Sequence, residues 1–502
     1  MSRALKGILL VHRYLGLALS LLFLIWFLSG FVMMYKDFPS ITASEKLAFS
    51  EPIKCTDRVV QPHEAVALAH LPAKLQSIQV GAILQWPVYR LQDADGNLKT
   101  VFADNGKALS GLTPHHAVLV VKYFLGAETK IERVVTTKEL DQWTPRTRFL
   151  QHMPLHKVHV NDGVGTVCYV SSATGEIIQK LNRGDKFWAW LGAIPHWIYF
   201  RDLRIHTQAW RDVVIGLSIF GVVMSLAGIG LGIVRTIKAK QLHDRLSPYK
   251  KKWFRWHHCL GFIFGVFVFT WILSGLFSMN PWKWSSDSAL NEQELLQWQG
   301  VDISASDVTV SLEKSVANLS QYGELKELKL TYAAARPYWL ASYANSNTKL
   351  LAANDSLAVP QDSLPKAALI TLAQKLKVNQ SIKETNWLTD YDDYYYNKHR
   401  TLPLPILRVK FSDALSTWYY INPSSAAVIK KVEQDSRLER WIYNGLHSLD
   451  FHVIFFRRPL WDVIVIVLLL GGTALSVTGT ILSAKWIFRK AKKKIIGIKK
   501  QG

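Results

Sequence analysis

The alternation of hydrophobic and polar positions divides the chain into four long apolar runs and two long mixed segments. The apolar runs cover about Leu15 to Met34, Val213 to Val234, Leu260 to Met279 and Val463 to Leu482. Each is close to the roughly 20 residues that a bilayer-crossing helix requires. In the mixed segments the period shortens to two. Val158-His159-Val160 and Thr166-Val167-Cys168-Tyr169-Val170 alternate, a turn follows at Ala173-Thr174-Gly175, and Glu176-Ile177-Ile178 resumes, which predicts antiparallel hairpins. Pro62 to His70 and Pro365 to Leu376 read as helices, with Val88-Tyr89-Arg90-Leu91 and Tyr338-Trp339-Leu340 as further strands. The expected fold is a multi-pass α-helical membrane protein with two small α+β modules.

The two halves echo one another. His12, Leu15-Gly16, Trp26 and Ser29-Gly30 return 245 residues later as His257, Leu260-Gly261, Trp271 and Ser274-Gly275. At an offset of 251, Trp190, His196, Trp210, Ser225 and Gly228 match Trp441, His447, Trp461, Ser476 and Gly479. The second offset already holds from Asp141, which pairs with Asp392, so the six extra residues lie between the third apolar run and Asp392. This predicts an internal duplication with boundaries at 1–36 (first helix), 37–208 (first module), 209–235 (second helix), 236–256 (basic loop), 257–280 (third helix), 281–460 (second module), 461–484 (fourth helix) and 485–502 (basic tail). The first run is too long for a signal peptide and lacks a clean cleavage site, so it reads as a retained helix.

A net charge of +22 suggests nucleic acid until it is located along the chain. Residues 1–13 carry three Lys or Arg, 235–255 carry eight against Asp244 alone, and 485–502 carry eight with no acid, together 18 of the net charge. Short basic loops beside membrane helices stay cytoplasmic. Both termini and the middle loop are therefore expected on the cytoplasmic side of the membrane, with the nearly neutral modules outside. Nucleic acid falls away as a partner, and membrane lipid takes its place. The chain has three cysteines, too few for a disulfide scaffold or an iron-sulfur cluster. Cys55 and Cys168 lie in the outer segments, where an oxidising compartment would permit a bridge.

The His12-Arg13-Tyr14-Leu15-Gly16 opening, Ile194-Pro195-His196-Trp197-Ile198-Tyr199-Phe200, Asp392-Asp393-Tyr394-Tyr395-Tyr396 and the run from Arg440 to Phe451 resemble the PepSY-associated transmembrane proteins over nearly the whole chain. The resemblance implies two periplasmic PepSY-like modules and a link to bacterial iron uptake, since some members are similar to inner-membrane reductases that release iron from siderophores with b-type haems. The family name itself points to a periplasmic binding module. An electron-transfer reading and a cofactor-free binding or regulatory reading both follow.

The histidines favour the first. Duplicated halves of the same membrane sense are related by a pseudo-twofold axis along the membrane normal. His12 and His257 would then face each other near the cytoplasmic surface, and His196 and His447 near the outer surface. Opposed imidazoles are what a six-coordinate haem b needs, and no Cys-x-x-Cys-His motif provides covalent attachment. The expected cofactors are two bis-histidine haems. His258 is the alternative to His257, and Arg13 and Arg255 are candidates to pair with haem propionates. The bland reading of all four histidines is helix capping or lipid contact, against which stands the cost of ionisable groups near a bilayer. His63, His70, His115, His116, His206, His243 and His452 have no counterpart in the other half and read as surface residues. His152, His156 and His159 make a poor metal site, because Pro154 breaks a helix there and His156 and His159 fall on opposite strand faces.

Gly16 with Gly261, Gly30 with Gly275, Gly221 with Gly472 and Gly228 with Gly479 suit either a flat macrocycle or close helix packing. Trp26 and Trp271 fit a place between the haems or in the helix core. The Asp390 to Tyr396 run reads as a docking site for the acceptor or as a structural hairpin. No flavin or nicotinamide fingerprint is present, because the glycines of Gly228 to Gly232 lie inside an apolar helix. A separate electron donor, a cytoplasmic reductase or quinol, is expected, with a ferric siderophore or other periplasmic compound as acceptor. Which residues act catalytically is not legible.

Overall fold

The computed structural model describes residues 2–55 and 58–498; the side chains of His243, His452 and residues 493–498, and the tail residues 499–502, lie outside the described residues. The chain forms two compact units. One comprises Met1–Phe38, Phe187–Ser285 and Leu438–Gly502, the other Pro39–Lys186 and Ser286–Arg437.

Among the described residues, four helices of the first unit are long and apolar enough to cross a membrane. They are α1 (Arg3–Met33), α2 (Thr207–His243), α3 (Lys252–Ser278) and α4 (Leu460–Ile498). Most extend well beyond their apolar runs, because the Lys-, Arg-, Ala- and Gln-rich flanks are good helix formers that continue the backbone ladder. The side chain of Ser2 caps α1 by accepting from the Leu5 amide at 3.3 Å. Apolar residues cover both faces of the helices. Leu21, Leu28, Phe220, Leu226, Phe262, Val266, Val467 and Leu470 are exposed, while Leu19, Phe23, Phe27, Met224, Val268, Ile272, Val465 and Leu469 form the core between helices. A helix apolar all round belongs in lipid. Close approach settles one pair of repeated glycines: a Cβ on Gly472 would lie 2.5 Å from Phe27, and one on Gly221 3.0 Å from both Ile272 and Phe23. Those two positions serve helix packing.

His196 and His447 each lie on a short turn outside the long helices. Ala193–Trp197 ends on Ile198 and Leu446–Ser448 ends on Leu449, both left-handed with φ of 54° and 49°. The indole of Trp210 donates to the Trp197 carbonyl at 2.8 Å, and that of Trp461 to the Ser448 carbonyl at 2.9 Å. Each repeated tryptophan thus satisfies a carbonyl at the end of a histidine turn and ties that turn to the start of α2 or α4.

Among the described residues, the second unit holds three antiparallel sheets. One is built from β1 (Lys74–Ile83), β2 (Trp86–Asp93), β3 (Leu98–Phe102) and, from the later segment, β8 (Ile303–Ser304), β9 (Leu325–Ala333), β10 (Arg336–Tyr343) and β11 (Thr348–Ala352). Two four-stranded meanders run β4 (Ile131–Thr137) to β7 (Ile177–Leu181) and β12 (Ile382–Leu388) to β15 (Ala427–Val432). The two mixed segments form α+β structure, as expected, and they are also joined. β1 pairs with β9 at Gln79↔Lys329 and Val80↔Leu328, so the two segments share one seven-stranded sheet. The physical reason is edge protection: each three-stranded meander alone would leave β1 or β9 as an open edge, and pairing the two covers both.

Within the Asp390 to Tyr396 run, Asp392 is engaged by the fold. Asp392 accepts from the Tyr394 and Tyr395 amides at 2.9 and 2.7 Å, from Arg408 at 2.7 Å and from the Tyr420 hydroxyl at 2.8 Å. Asp141, 251 residues earlier, likewise takes Lys157 and the Tyr169 hydroxyl, each at 2.8 Å. Cys55 and Cys168 are both free thiols in different hydrophobic clusters, and burial pushes each up to about 12.

Candidate functional site

The helical unit brings four histidines together in two pairs. The rings of His12 on α1 and His257 on α3 lie with centroids 6.2 Å apart and planes at 40°. Those of His196 and His447, on the two short turns, are 6.1 Å apart with planes at 71°. In each pair the members belong to different halves of the chain.

Hydrogen bonds decide which ring nitrogen is available. His12 Nδ1 lies 2.9 Å from the Met224 carbonyl, an acceptor only, so this nitrogen carries the proton. His257 Nδ1 lies 3.0 Å from the Thr478 hydroxyl, whose own proton goes to the Leu475 carbonyl at 2.7 Å, leaving Thr478 to accept. The same reasoning holds for His196 and Ser29 at 3.0 Å, with Ser29 donating to the Trp26 carbonyl at 3.0 Å. It holds again for His447 and Ser274 at 3.1 Å, with Ser274 donating to Trp271 at 3.0 Å. Every imidazole is therefore the Nδ1–H tautomer with the Nε2 lone pair left over, and among the described residues no protein group meets that nitrogen. Burial, reinforced by His447, holds the His196 imidazole down to about 4, and burial also lowers His447. Both are neutral at pH 7, the state in which imidazole binds a metal.

A cavity of about 430 Å³ opens at the first pair, bordered by His12, His257 and residues of all four long helices. That size is ordinary for a cofactor pocket. Gly228 and Gly479 shape it: a Cβ on Gly228 would stand 2.7 Å from His12 Cε1, and one on Gly479 would stand 3.4 Å from the same atom of His257. A Cβ on Gly16, which also borders the cavity, would meet no atom within 4 Å.

The remaining candidates separate clearly. His258 also borders the cavity, but its Nε2 lies 3.1 Å from the Thr236 hydroxyl and its ring meets Tyr249 edge-on. Arg13 borders the cavity. Arg255 is exposed and is not among the residues that border it, whereas Arg235 and Arg489 are. The reason is helical phase, since Arg255 precedes His257 by two residues and projects from another face of α3. Among the described residues these three guanidiniums border the cavity and no carboxylate does. Trp26 and Trp271 lie with Phe23 and Phe27 in the helix core, ring centroids 5.8 and 5.7 Å apart in the Phe23–Trp26 and Phe27–Trp271 contacts. His156 is spent on Thr136 and the Leu112 carbonyl, and among the described residues no three His, Cys, Asp or Glu side chains converge on a metal.

Sequence reasoning gave no role to Ser29, Ser274, Thr478, Arg235 or Arg489. The first two were visible as an echoed Ser-Gly pair, but only the tertiary contact gives them a partner.

The family model of the PepSY-associated TM region matches residues 9–482. The chain belongs to that family. No curated protein matches it. The matched span of this PepSY-associated protein includes all four histidines of the two pairs.

Proposed function

We propose that this PepSY-associated protein is a dihaem electron carrier of the bacterial inner membrane that passes electrons from a cytoplasmic or quinol donor to a periplasmic acceptor such as a ferric siderophore. The observation that carries the reading is the separation of the ring pairs. Two imidazoles bound through nitrogen to one metal at about 2 Å, with about 1 Å from that nitrogen to the ring centre, place their centroids about 6 Å apart. The pairs stand at 6.2 and 6.1 Å with every Nδ1 turned to protein. Haem fits the donor set, because the macrocycle provides four ligands and the protein need offer only two. It also fits the first cavity, where Gly16 leaves open space and Arg13, Arg235 and Arg489 would pair with its carboxylates.

When bound, haem supplies a one-electron iron couple. His12 with His257 and His196 with His447 would hold it at two levels, and the carbonyls and hydroxyls behind them keep each ring aimed. His12 and Ser29, the support of His196, are 17 residues apart on α1, about 25 Å at 1.5 Å per residue. Two levels at that spacing span most of a hydrocarbon core of about 30 Å. The siderophore acceptor rests on the family resemblance.

Purified in detergent, the protein should be red, with low-spin b-type bands and about two haems per chain on extraction. The ring-plane angles of 40° and 71° should give two distinguishable low-spin resonance signals, the more anisotropic from the more crossed pair. A colourless protein from haem-replete cells would leave the cofactor-free binding module as the reading. The sidedness follows from the basic loops. A tag near Lys240 should be reached only from the cytoplasm and one near Asn182 only from outside; the reverse pattern would remove the periplasmic acceptor.

A further inference from the structure

Ser29 and Ser274 are almost fully buried, at 1% and 0% exposure. Each spends its hydroxyl proton on the tryptophan carbonyl three residues earlier, at 3.0 Å. Each then offers only oxygen lone pairs to a histidine brought in from a distant turn, His196 at 3.0 Å and His447 at 3.1 Å. A serine inside a helix often bonds back to its own helix and does nothing more. That explanation accounts for the carbonyl bond but not for a histidine Nδ1 at the same oxygen, met twice in one chain. The first pair is supported differently: His12 leans on a bare carbonyl, and Ala227 occupies the place that matches Thr478 at the 251 offset.

We infer that Ser29 and Ser274 are positioning residues that set the donor strength of the outer histidine pair; the inference rests on the haem reading above. An acceptor on Nδ1–H makes the opposite nitrogen more basic and fixes the ring about its bond to the metal. A more basic axial nitrogen favours ferric over ferrous iron, so the two hydroxyls hold the outer site at a lower potential than it would otherwise have. The Trp271 carbonyl also lies 3.1 Å from His447 Nδ1. Removing the Ser274 hydroxyl therefore leaves one acceptor behind, and the support of His447 is weakened without being lost.

The test is a redox titration of the full-length protein in detergent for wild type, Ser29→Ala, Ser274→Ala and Ser29→Thr, with haem content and low-spin spectra recorded on the same samples. Both Ala variants should keep two haems and raise the outer potential by about 59 mV, a tenfold loss of ferric preference for a one-electron couple. The inner potential should stay put, and Ser29→Thr should restore the wild-type value. If Ser29→Ala fails to load haem, Ser29→Cys keeps the volume with a poor acceptor and must show the same rise. An unmoved outer potential in loaded variants, even with reduced thermal stability, overturns the inference and leaves the dihaem reading standing. Haem-free wild-type protein overturns both.

Discussion

His196→Ala and His447→Ala should each strip the same haem from the protein and leave the other spectrum intact. The expected content falls from about two haems per chain to about one, and reduction of an external ferric chelate drops by at least on the order of 100-fold, beyond the 10–100-fold usual for altering a supporting residue. The reason lies in the paired geometry. A haem b held by this pair would have no covalent tether, so with rings 6.1 Å apart each imidazole would retain it only together with its partner. Loss of one ligand should then leave the site empty; a retained five-coordinate, high-spin centre would show that one imidazole suffices. Haem extraction, spin state and chelate reduction on the two variants decide the matter. If His196→Ala and His12→Ala were to perturb one and the same haem, the pairing proposed here would be wrong even with two haems present.

The second large effect separates neighbours on α3. His257→Ala and His12→Ala should lose the inner haem, while His258→Ala should keep both, because the His258 Nε2 is engaged by Thr236 and its ring by Tyr249. In the His12 and His257 variants the outer haem should remain low-spin and respond to a chemical reductant added from outside. It should no longer be reduced by a donor on the cytoplasmic side, since about 25 Å of helix then lies between donor and acceptor without the inner centre. Two haems in His257→Ala together with one in His258→Ala would reverse the assignment. Stopped-flow reduction from each side of a reconstituted vesicle reads the difference directly.

Much of the fold was legible because membrane helices carry their signal locally. A run of about 20 apolar residues needs no partner to be recognised, and the alternation at Val158 to Val170 declared strands β5 (Leu155–Val160) and β6 (Val167–Ser171) in the same way. The helix ends were less legible, since basic residues good at forming helix continue α2 and α4 past the lipid without a stop signal. The shared sheet could not be read, because pairing of β1 with β9 joins residues some 250 positions apart and leaves no mark on the alternation of either strand.

By itself, then, the sequence determined the four apolar helices, the echo at offsets of 245 and 251, and the four histidines that repeat within it. Those properties depend on residue type and spacing, which the chain states directly. Only the tertiary structure decided that His257 and not His258 faces His12, that Arg235 and Arg489 border the cavity, and that each Nδ1 is tied down so that Nε2 is left over. Adjacent residues on a helix differ by about 100° in direction, so a one-residue choice depends on how the helix is rotated in the bundle. Tautomers depend further on which hydroxyl or carbonyl arrives from another helix, and that is a property of packing alone.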